Sequence, residues 1–201
     1  MNLLEDFGNI DIYLFDQLLK GRINKSHKIL DAGCGGGRNS YFFLKEGFEV
    51  YGVDRNPEAI TGMKTMADIL NPDYPSKRFE VAELDQLPYE DGHFDWIICN
   101  AVLHFADNHQ HFAQMVREMW RVLKRGGFFF ARLASKIAFE DKVRALGRGR
   151  YYLPDETERY LVSEEQLIEV SFRLQGEFVE KIKTTHVENL RAMTTWVLMK
   201  T

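Results

Sequence analysis

The sequence predicts an α/β fold in which a mostly parallel β-sheet is covered by helices on both faces. Short β-rich runs alternate along the chain with segments whose apolar residues recur at helical spacing. Strands separated by helices pair in parallel, because each helix carries the chain back across the sheet. The length of 201 residues also fits one domain of ordinary size.

The elements of this fold are predicted in order along the chain. The first 25 residues carry apolar side chains at helical spacing and predict an amphipathic segment that packs on the sheet or over a ligand. Five strands are then predicted at residues 28–32, 48–54, 78–83, 94–100 and 126–133. Helices are predicted between them in segments 38–47, 57–70 and 109–127. Pro57 suits a first helical turn, and Gly47 and the pair Gly126–Gly127 suit helix C-termini.

The chain changes character after Leu133. A short helical pattern is followed by a basic, aromatic segment with glycine and proline, which predicts an insertion or lid. A helix is predicted next, with Ser163 as its cap and Gln166 three positions later. The segments 177–187 and 191–200 then predict two strands. The connection between these strands is too short for a parallel crossover, so we expect an antiparallel pair.

Composition argues against several classes of function. The formal net charge of −4, with both signs interspersed, provides no basic surface of the kind that binds nucleic acid. No apolar run approaches the ~20 residues of a membrane span, and acids stand near the N-terminus where a signal peptide would be basic. We therefore expect a cytoplasmic protein that acts on a small molecule. Cys34 and Cys99 have no metal or disulfide spacing, so no metal site is predicted.

The segment KILDAGCGGGRNSYFFL, residues 28–44, places a glycine-rich turn between the first strand and the first helix of the sheet. In an α/β sheet this turn is the usual seat of a nucleotide-like cofactor, because the backbone can approach the ligand closely. The dinucleotide pattern GxGxxG, started at Gly33, fails at Arg38, and no phosphate-binding Gly-Lys-Ser/Thr follows. Asp54, at the end of the second strand, can accept hydrogen bonds from ribose hydroxyls. Together these features predict an adenosine-containing ligand.

Four separated motifs, over roughly residues 25–135, resemble the class I S-adenosylmethionine-dependent methyltransferase family. They are ILDAGCGGGRNS, VYGVDRN, FEVAELDQLPYEDGHFDWIICNAVLHF and REMWRVLKRGGFFFARL. The stretch GRNSYFFLKEGFEVYGVDRNPEAI is similar to small-molecule members that include tellurite- and thiopurine-type enzymes. Arg125 is a departure, since the family usually has proline there. The resemblance implies a three-layer, Rossmann-like fold whose seven-stranded, mostly parallel sheet has an antiparallel last strand.

The resemblance also implies S-adenosyl-L-methionine as the cofactor. The glycine turn would lie beneath its methionine part, with Asp31 near the amino group, and Asp54 would hold the ribose. Glu83 would meet the adenine amino group, and Asn100 would offer its backbone carbonyl to the cofactor's amino group. The residues expected to bind the cofactor are Asp31, Gly33, Cys34, Gly35, Gly37, Asp54, Arg55, Glu83, Leu84 and Asn100.

The resemblance divides the single domain into four parts. Residues 1–25 form an N-terminal helical segment or lid, residues 26–134 the cofactor-binding core, residues 135–163 an insertion over the acceptor, and residues 164–201 a C-terminal helix with the strand pair. In the insertion, arginines can bind oxyanions and tyrosines offer a flat face and a hydroxyl. Its candidate acceptor-binding residues are Arg148, Arg150, Tyr151 and Tyr152, and a surface loop with solvated charges is the alternative interpretation.

His104 follows the fourth strand, at the edge of the sheet where ligands bind in this architecture. It is therefore the candidate catalytic residue, either taking a proton from the acceptor or lining its pocket.

The predicted function is methyl transfer from S-adenosylmethionine to a small-molecule acceptor. The sulfonium is already an activated leaving group, so the protein mainly aligns donor and acceptor and excludes water. One alternative is an NAD-dependent oxidoreductase, against which Arg38 argues. The other is a regulatory protein that binds S-adenosylmethionine without turning anything over. The sequence leaves the acceptor and the oligomeric state open.

Overall fold

A computed structural model describes residues 2–201 and shows the predicted α/β architecture. The helices are α1 (Leu3–Phe7), α2 (Ile12–Leu19), α3 (Ser40–Lys45), α4 (Pro57–Leu70), α5 (His109–Val122) and α6 (Glu164–Arg173). The strands are β1 (Lys28–Ala32), β2 (Glu49–Asp54), β3 (Phe79–Val81), β4 (Phe94–Asn100), β5 (Leu123–Ser135), β6 (Arg144–Gly147), β7 (Arg150–Tyr152), β8 (Glu158–Tyr160), β9 (Gly176–Phe178), β10 (Lys183–Val187) and β11 (Arg191–Lys200). Among residues 2–201, no helix combines the length and hydropathy that crossing a bilayer requires.

The central sheet has seven strand positions in the order β3-β2-β1-β4-β5-β11-β10. The strands from β3 to β5 pair in parallel, whereas β11 runs antiparallel to both β5 and β10. The short β9 pairs with the far end of β11, on Leu198–Lys200, while β10 pairs with its Arg191–Thr195 end. The predicted antiparallel last strand is therefore confirmed. The strand order reverses beside β1, and ligands bind at such a reversal in open α/β sheets.

Each central strand is buried on both faces, and neighbouring residues belong to different cores. Ile29 and Ile98 pack with α2, α3 and α4, whereas Leu30 and Ile97 pack with α5 and α6. The alternation follows from the two-residue period of a strand. It explains why these strands are predominantly apolar on both faces, and it confirms the three-layer prediction.

The predicted helix boundaries are mostly confirmed, for identifiable chemical reasons. Pro57 is the first residue of α4, and Gly47 adopts a φ of 75° just after α3. The Ser163 hydroxyl accepts a hydrogen bond from the Gln166 amide at 3.2 Å and caps α6.

The placement of Gly126–Gly127 at a helix C-terminus is wrong. Helix α5 ends at Val122, and both glycines lie inside β5. A side chain on Gly127 would lie 2.9 Å from the carbonyl oxygens of Asp95 and Lys124. The glycine is therefore required by a close backbone approach at the start of the β4–β5 pairing.

Two other segments differ in detail from the prediction. The N-terminal amphipathic segment forms two short helices, because Gly8, with a φ of 61°, ends the first. The helical pattern after β5 yields only a single 3-10 turn at Glu140–Lys142. The insertion instead forms an antiparallel sheet in the order β6-β7-β8. Its first hairpin turns through Gly147–Gly149, three residues with positive φ.

Replacing Ser171 with alanine is expected to destabilise the fold by about 1–3 kcal/mol, the effect of leaving a buried donor unpaired. Ser171 lies on α6, and its hydroxyl accepts a 3.0 Å hydrogen bond from the indole N–H of the fully buried Trp196 on β11. Urea unfolding of both proteins measures the difference. The exposed Ser76→Ala serves as the control, and a Ser171→Ala effect as small as the control's would contradict this role.

Candidate functional site

The glycines of the turn between β1 and α3 differ in what a β-carbon at each position would contact. A β-carbon on Gly33, with a φ of 79°, would lie 2.5 Å from a methyl group of Val102. On Gly37, with a φ of 80°, it would overlap two methionine side chains of α4. At Gly35, with a φ of 50°, no heavy atom of the described chain lies within 4 Å of the same position. Packing within the protein therefore accounts for the first two glycines, whereas Gly35, like Gly36, leaves the β-carbon position open.

Backbone hydrogen bonds fix this turn to the end of β2. The amides of Gly33 and Cys34 both donate to the carbonyl oxygen of Val53, at 2.8 and 2.9 Å. The Gly35 amide donates to Asp54 Oδ2 at 2.9 Å, and Asp54 Oδ1 accepts from the Asn56 amide at the same distance. The carboxylate of Asp54 is thereby held beside the glycine turn.

A first cavity of about 270 Å³ opens at the carboxyl ends of β1, β2 and β4. Asp54 and the exposed Glu83 contribute carboxylates to it, while Leu84, Val102 and Met115 contribute apolar surface. An apolar slot with a few convergent polar groups is the usual form of a cofactor site. Among the predicted cofactor residues, those that line it are Gly33, Gly35, Asp54, Arg55, Glu83, Leu84 and Asn100.

The structure does not bring Asp31, Cys34 or Gly37 to this cavity. The Asp31 carboxylate is buried behind the turn, where it accepts a 2.7 Å hydrogen bond from the Ser40 hydroxyl. Burial raises the pKa of Asp31 to about 6. Burial also raises the pKa of the Cys34 thiol, which keeps it protonated and unsuited to nucleophilic chemistry. Asp31 and Cys34 therefore belong to the buried surroundings of the turn and not to the lining of the first cavity.

A second cavity of about 460 Å³ adjoins the first, and Asn100, Ala101 and Phe105 line both. The strand β5, the start of β11 and the insertion enclose it. Leu153, Asp155 and Arg159 are the residues that the insertion contributes. The other residues that line the second cavity are Arg38, His104, Arg132, Ala134, Leu153, Asp155, Arg159, Val187, Arg191 and Met193.

The four predicted acceptor-binding residues are not among the described residues that line either cavity. Arg148 is exposed at the tip of a hairpin. Arg150 donates to the carbonyl oxygen of Ala106 at 3.2 Å and so ties β7 to the segment after β4. Tyr151 packs in a small apolar cluster, and the ring of Tyr152 lies under a neighbouring guanidinium.

Sequence reasoning missed the arginines of the second cavity. Arg132 offers a sequence signal, because it is a charged residue in the apolar strand FFFARLA. Arg159 and Arg191 offer no such signal, because each stands beside other polar residues in a segment without a recognisable motif. Their shared position emerges only when the insertion and β11 are folded against β5.

His104 lines the second cavity as a neutral ring. Its Nδ1 atom accepts a hydrogen bond from the Ala134 amide at 3.3 Å. Burial, together with the charges of Arg159 and Arg191, lowers the pKa of His104 to about 4. A neutral imidazole that accepts at Nδ1 carries its proton on Nε2. The ring is thus a hydrogen-bond donor in this arrangement, and neither ring nitrogen has a free lone pair with which to take a proton from an acceptor.

Asn100 and Ala101, which line both cavities and so form a wall between them, have an unpaired hydrogen-bond donor and a strained backbone conformation. Ala101 has a φ of 62°, an uncommon value for a residue with a side chain. The side-chain oxygen of Asn100 accepts from Arg38 at 3.2 Å, whereas its buried nitrogen has no hydrogen-bond partner among the described residues. Buried donors are normally paired, so the unpaired Asn100 nitrogen is an exception among the buried groups near the two cavities.

The N-terminal segment lies against the same wall. The Asn9 carbonyl oxygen accepts from Arg38 at 3.0 Å, and the Asp11 carboxylate contacts Arg132 at 3.2 Å. The guanidinium of Arg132 also lies 5.2 Å from the ring centre of Tyr13. The expected packing of this segment over a ligand therefore has a concrete basis, because its contacts are to residues that line the second cavity.

Comparison with known proteins identifies a related family. The profile described as "Methyltransferase domain" matches residues 30–131. The chain is 34% identical over 118 residues to the uncharacterized methyltransferase YcgJ of Bacillus subtilis (strain 168), covering 58% of this chain and 44% of that protein. It is 29% identical over 107 residues to the uncharacterized methyltransferase sll0829 of Synechocystis sp., covering 53% and 47%. The chain thus spans less than half the length of these curated relatives.

Solved structures share the fold over nearly the whole chain. A SAM-dependent methyltransferase from Methanosarcina mazei superposes with a TM-score of 0.72 at 20% identity, covering 91% of this chain and 96% of that one. The 1,6-didemethyltoxoflavin-N1-methyltransferase of Burkholderia thailandensis gives a TM-score of 0.69 at 18% identity, covering 100% and 81%. Because the family profile covers half of the chain, the chain belongs to the methyltransferase domain family, whose class I members are S-adenosylmethionine-dependent enzymes.

Proposed function

We propose that this protein transfers a methyl group from S-adenosylmethionine to a small molecule held in the second cavity. The observation that carries the proposal is the wall shared by the two cavities, formed by Asn100, Ala101 and Phe105. A donor in the first cavity and an acceptor in the second would meet at this wall. Family membership supplies the reaction class, and the adjacent cavities support a two-substrate transfer.

The first cavity fits the cofactor in shape and in chemistry. Gly35 leaves open the space that a side chain would fill, which allows a ligand to approach the backbone. Asp54 presents carboxylate oxygens suited to ribose hydroxyls, and Glu83 can accept from an adenine amino group. Leu84 and Met115 offer apolar surface to a flat ring. No phosphate-binding lysine is needed, because this cofactor carries no phosphate.

The protein's contribution to the reaction is alignment and exclusion of water. S-adenosylmethionine, when bound, supplies a methyl group on a sulfonium that is already an activated leaving group. The residues at the shared wall therefore need to hold the acceptor in line, and the insertion and N-terminal segment need to cover it. The neutral His104 can donate a hydrogen bond from Nε2 to the acceptor and so orient it.

The second cavity supports a small acceptor. Its volume of about 460 Å³ lies within the range of small-molecule sites. The cavity is framed by segments from both ends of the chain, which leaves the shape of a pocket and not of a long groove. A formal net charge of −4 also disfavours a nucleic-acid substrate.

Calorimetry with S-adenosylhomocysteine, S-adenosylmethionine and NADH tests the cofactor assignment. We expect the first two compounds to bind and NADH not to bind. Binding of NADH alone would overturn the proposal. Transfer of a radiolabelled methyl group to candidate metabolites then tests turnover.

Replacing Asp54 with alanine is expected to weaken binding of S-adenosylhomocysteine by about 1–3 kcal/mol, because the ribose hydroxyls lose their acceptor. The substitution also removes the bond to the Gly35 amide, so circular dichroism must first show that the variant is folded. Asp73→Ala, at an exposed position away from both cavities, is the matched control. Unchanged affinity in a folded Asp54→Ala protein would rule out the ribose assignment.

Two glycine variants separate ligand contact from packing. Gly35 and Gly37 both have positive φ, so alanine introduces similar backbone strain of about 1–2 kcal/mol at each. Gly35→Ala is expected to reduce affinity for S-adenosylhomocysteine about tenfold or more, with a small change in thermal stability. Gly37→Ala is expected to lower the melting temperature further, because its β-carbon overlaps the methionines of α4. Equal effects of the two variants on affinity and stability would contradict the distinction.

The protonation of His104 can be followed directly by NMR. Its ring is expected to stay neutral down to about pH 4, below its ordinary pKa of 6.5. Because the folded-state pKa is lowered, His104 contributes stability above pH 6.5 that is lost as the pH falls toward 4. Asp31 has the opposite effect on stability. Because its folded-state pKa is raised from 3.8 to about 6, its contribution to stability is lost as the pH rises toward 6. Unfolding free energies of the wild type and His104→Gln, compared at each pH, isolate the histidine. Titration of His104 near pH 6.5 would contradict its buried, neutral state.

A further inference from the structure

We propose that the acceptor carries an oxyanion, a carboxylate or a phosphate, attached to a small apolar body. This inference rests on the methyltransferase function proposed above and concerns what the second cavity recognises. The observation behind it is that four arginines line one cavity that also has an apolar portion. The arginines are Arg38, Arg132, Arg159 and Arg191.

Two of these arginines have carboxylate partners. Arg191 lies 3.7 Å from Asp155, the one carboxylate among the described residues that line the second cavity. Arg132 contacts Asp11, which belongs to the N-terminal segment outside the lining. Each of these positive charges is therefore balanced within the protein.

The other two arginines are not balanced in this way. Within residues 2–201, neither Arg38 nor Arg159 lies within ion-pair distance of a carboxylate. Arg38 donates to the Asn9 carbonyl and to the Asn100 side chain, and the nearby Asp31 is buried behind the glycine turn. Arg159 donates only to the backbone carbonyl of Glu158. The second cavity thus carries an excess of positive charge.

Unused hydrogen-bond donors accompany this charge. The buried Nε of Arg132 and the buried side-chain nitrogen of Asn100 have no partner among the described residues. His104 adds an Nε2 donor, because its Nδ1 already accepts from the Ala134 amide. A cavity with many hydrogen-bond donors and few hydrogen-bond acceptors suits a ligand group that only accepts hydrogen bonds. An ionised carboxylate or phosphate is such a group.

Arg159 is held at the wall where a methyl acceptor in the second cavity would meet a methyl donor in the first. Its guanidinium lies 4.9 Å from the ring centre of Phe105, and Phe105 belongs to the wall shared by both cavities. This cation–π contact holds the guanidinium near the shared wall, where the nitrogen that does not bond the Glu158 carbonyl can donate to a ligand. The position can therefore orient the acceptor as well as attract it.

The rest of the lining describes the body of the acceptor. Apolar side chains complete the cavity, and they carry neither a hydrogen-bond acceptor nor a charge. They are Ala134, Leu153, Val187 and Met193. Converging guanidinium groups repel one another in a partly desolvated site, and an anion relieves this repulsion. A small molecule with an apolar body and one anionic group satisfies both parts of the lining.

The test uses calorimetry on the protein saturated with S-adenosylhomocysteine. The probes are benzoate, phenyl phosphate and benzamide, which share a ring and differ in the attached group. We expect at least one anion to bind about tenfold or more tightly than neutral benzamide. Tighter binding of benzoate would identify a carboxylate as the recognised group, and tighter binding of phenyl phosphate would identify a phosphate.

Variants assign the recognition to the second cavity. Arg159→Gln is expected to weaken the bound anion about tenfold, and Arg191→Gln, which removes a charge that Asp155 already balances, is expected to weaken it less, each with little change in affinity for S-adenosylhomocysteine. Arg173→Gln, at an exposed position on α6, is the matched control and is expected to bind as the wild type does. Weakening by the control to the same extent would overturn the assignment.

The outcomes distinguish this inference from the proposed function. Failure of S-adenosylhomocysteine to bind would overturn the proposed function. With that cofactor bound, equal affinity for benzoate and benzamide, or no binding of either anion, would overturn the oxyanion inference alone. Anion binding that is unchanged in Arg159→Gln and Arg191→Gln would likewise overturn it.

Discussion

The site depends on one tightly constrained piece of backbone, the turn that leaves β1. It is fixed by three amide hydrogen bonds to the end of β2, from Gly33, Cys34 and Gly35. It must also pass between Val102 on one side and the methionines of α4 on the other. A side chain at Gly33 or Gly37 would force these neighbours apart. The close fit leaves Gly35 facing the first cavity and holds Asp54 beside it, so the geometry of the cofactor site follows from packing within the sheet.

The second cavity has a different origin, because it is assembled from distant parts of the chain. The sheet contributes the ends of β4, β5 and β11, while the insertion supplies Arg159 through β8. The N-terminal segment lies outside this lining and contacts cavity-lining arginines through Asp11 and Asn9. These two outer segments are separate from the glycine turn, so their sequences can vary without disturbing it.

Local pattern predicted the core of the fold well. Predominantly apolar strands such as FDWIICN are buried on both faces, and Pro57 and Ser163 stand at the helix starts that their chemistry favours. The predictions were wrong where a tertiary contact overrides local preference. Gly126–Gly127 follows a helical pattern, yet the pair lies inside β5, where a close backbone approach between β4 and β5 requires glycine at position 127. The insertion forms a small sheet instead of a helix, since its glycines turn the chain into a hairpin.

The sequence by itself determined the α/β architecture, the glycine turn and the acid beside it, because strand and helix periods and turn residues act over a few neighbouring positions. It did not determine which glycine faces a ligand, nor that Asp31 lies buried behind the turn. Only the tertiary structure decided that Arg38, Arg132, Arg159 and Arg191 share one cavity while Arg148 and Arg150 do not. These residues are far apart in sequence, and their side-chain directions are set by packing between elements, which no local pattern records.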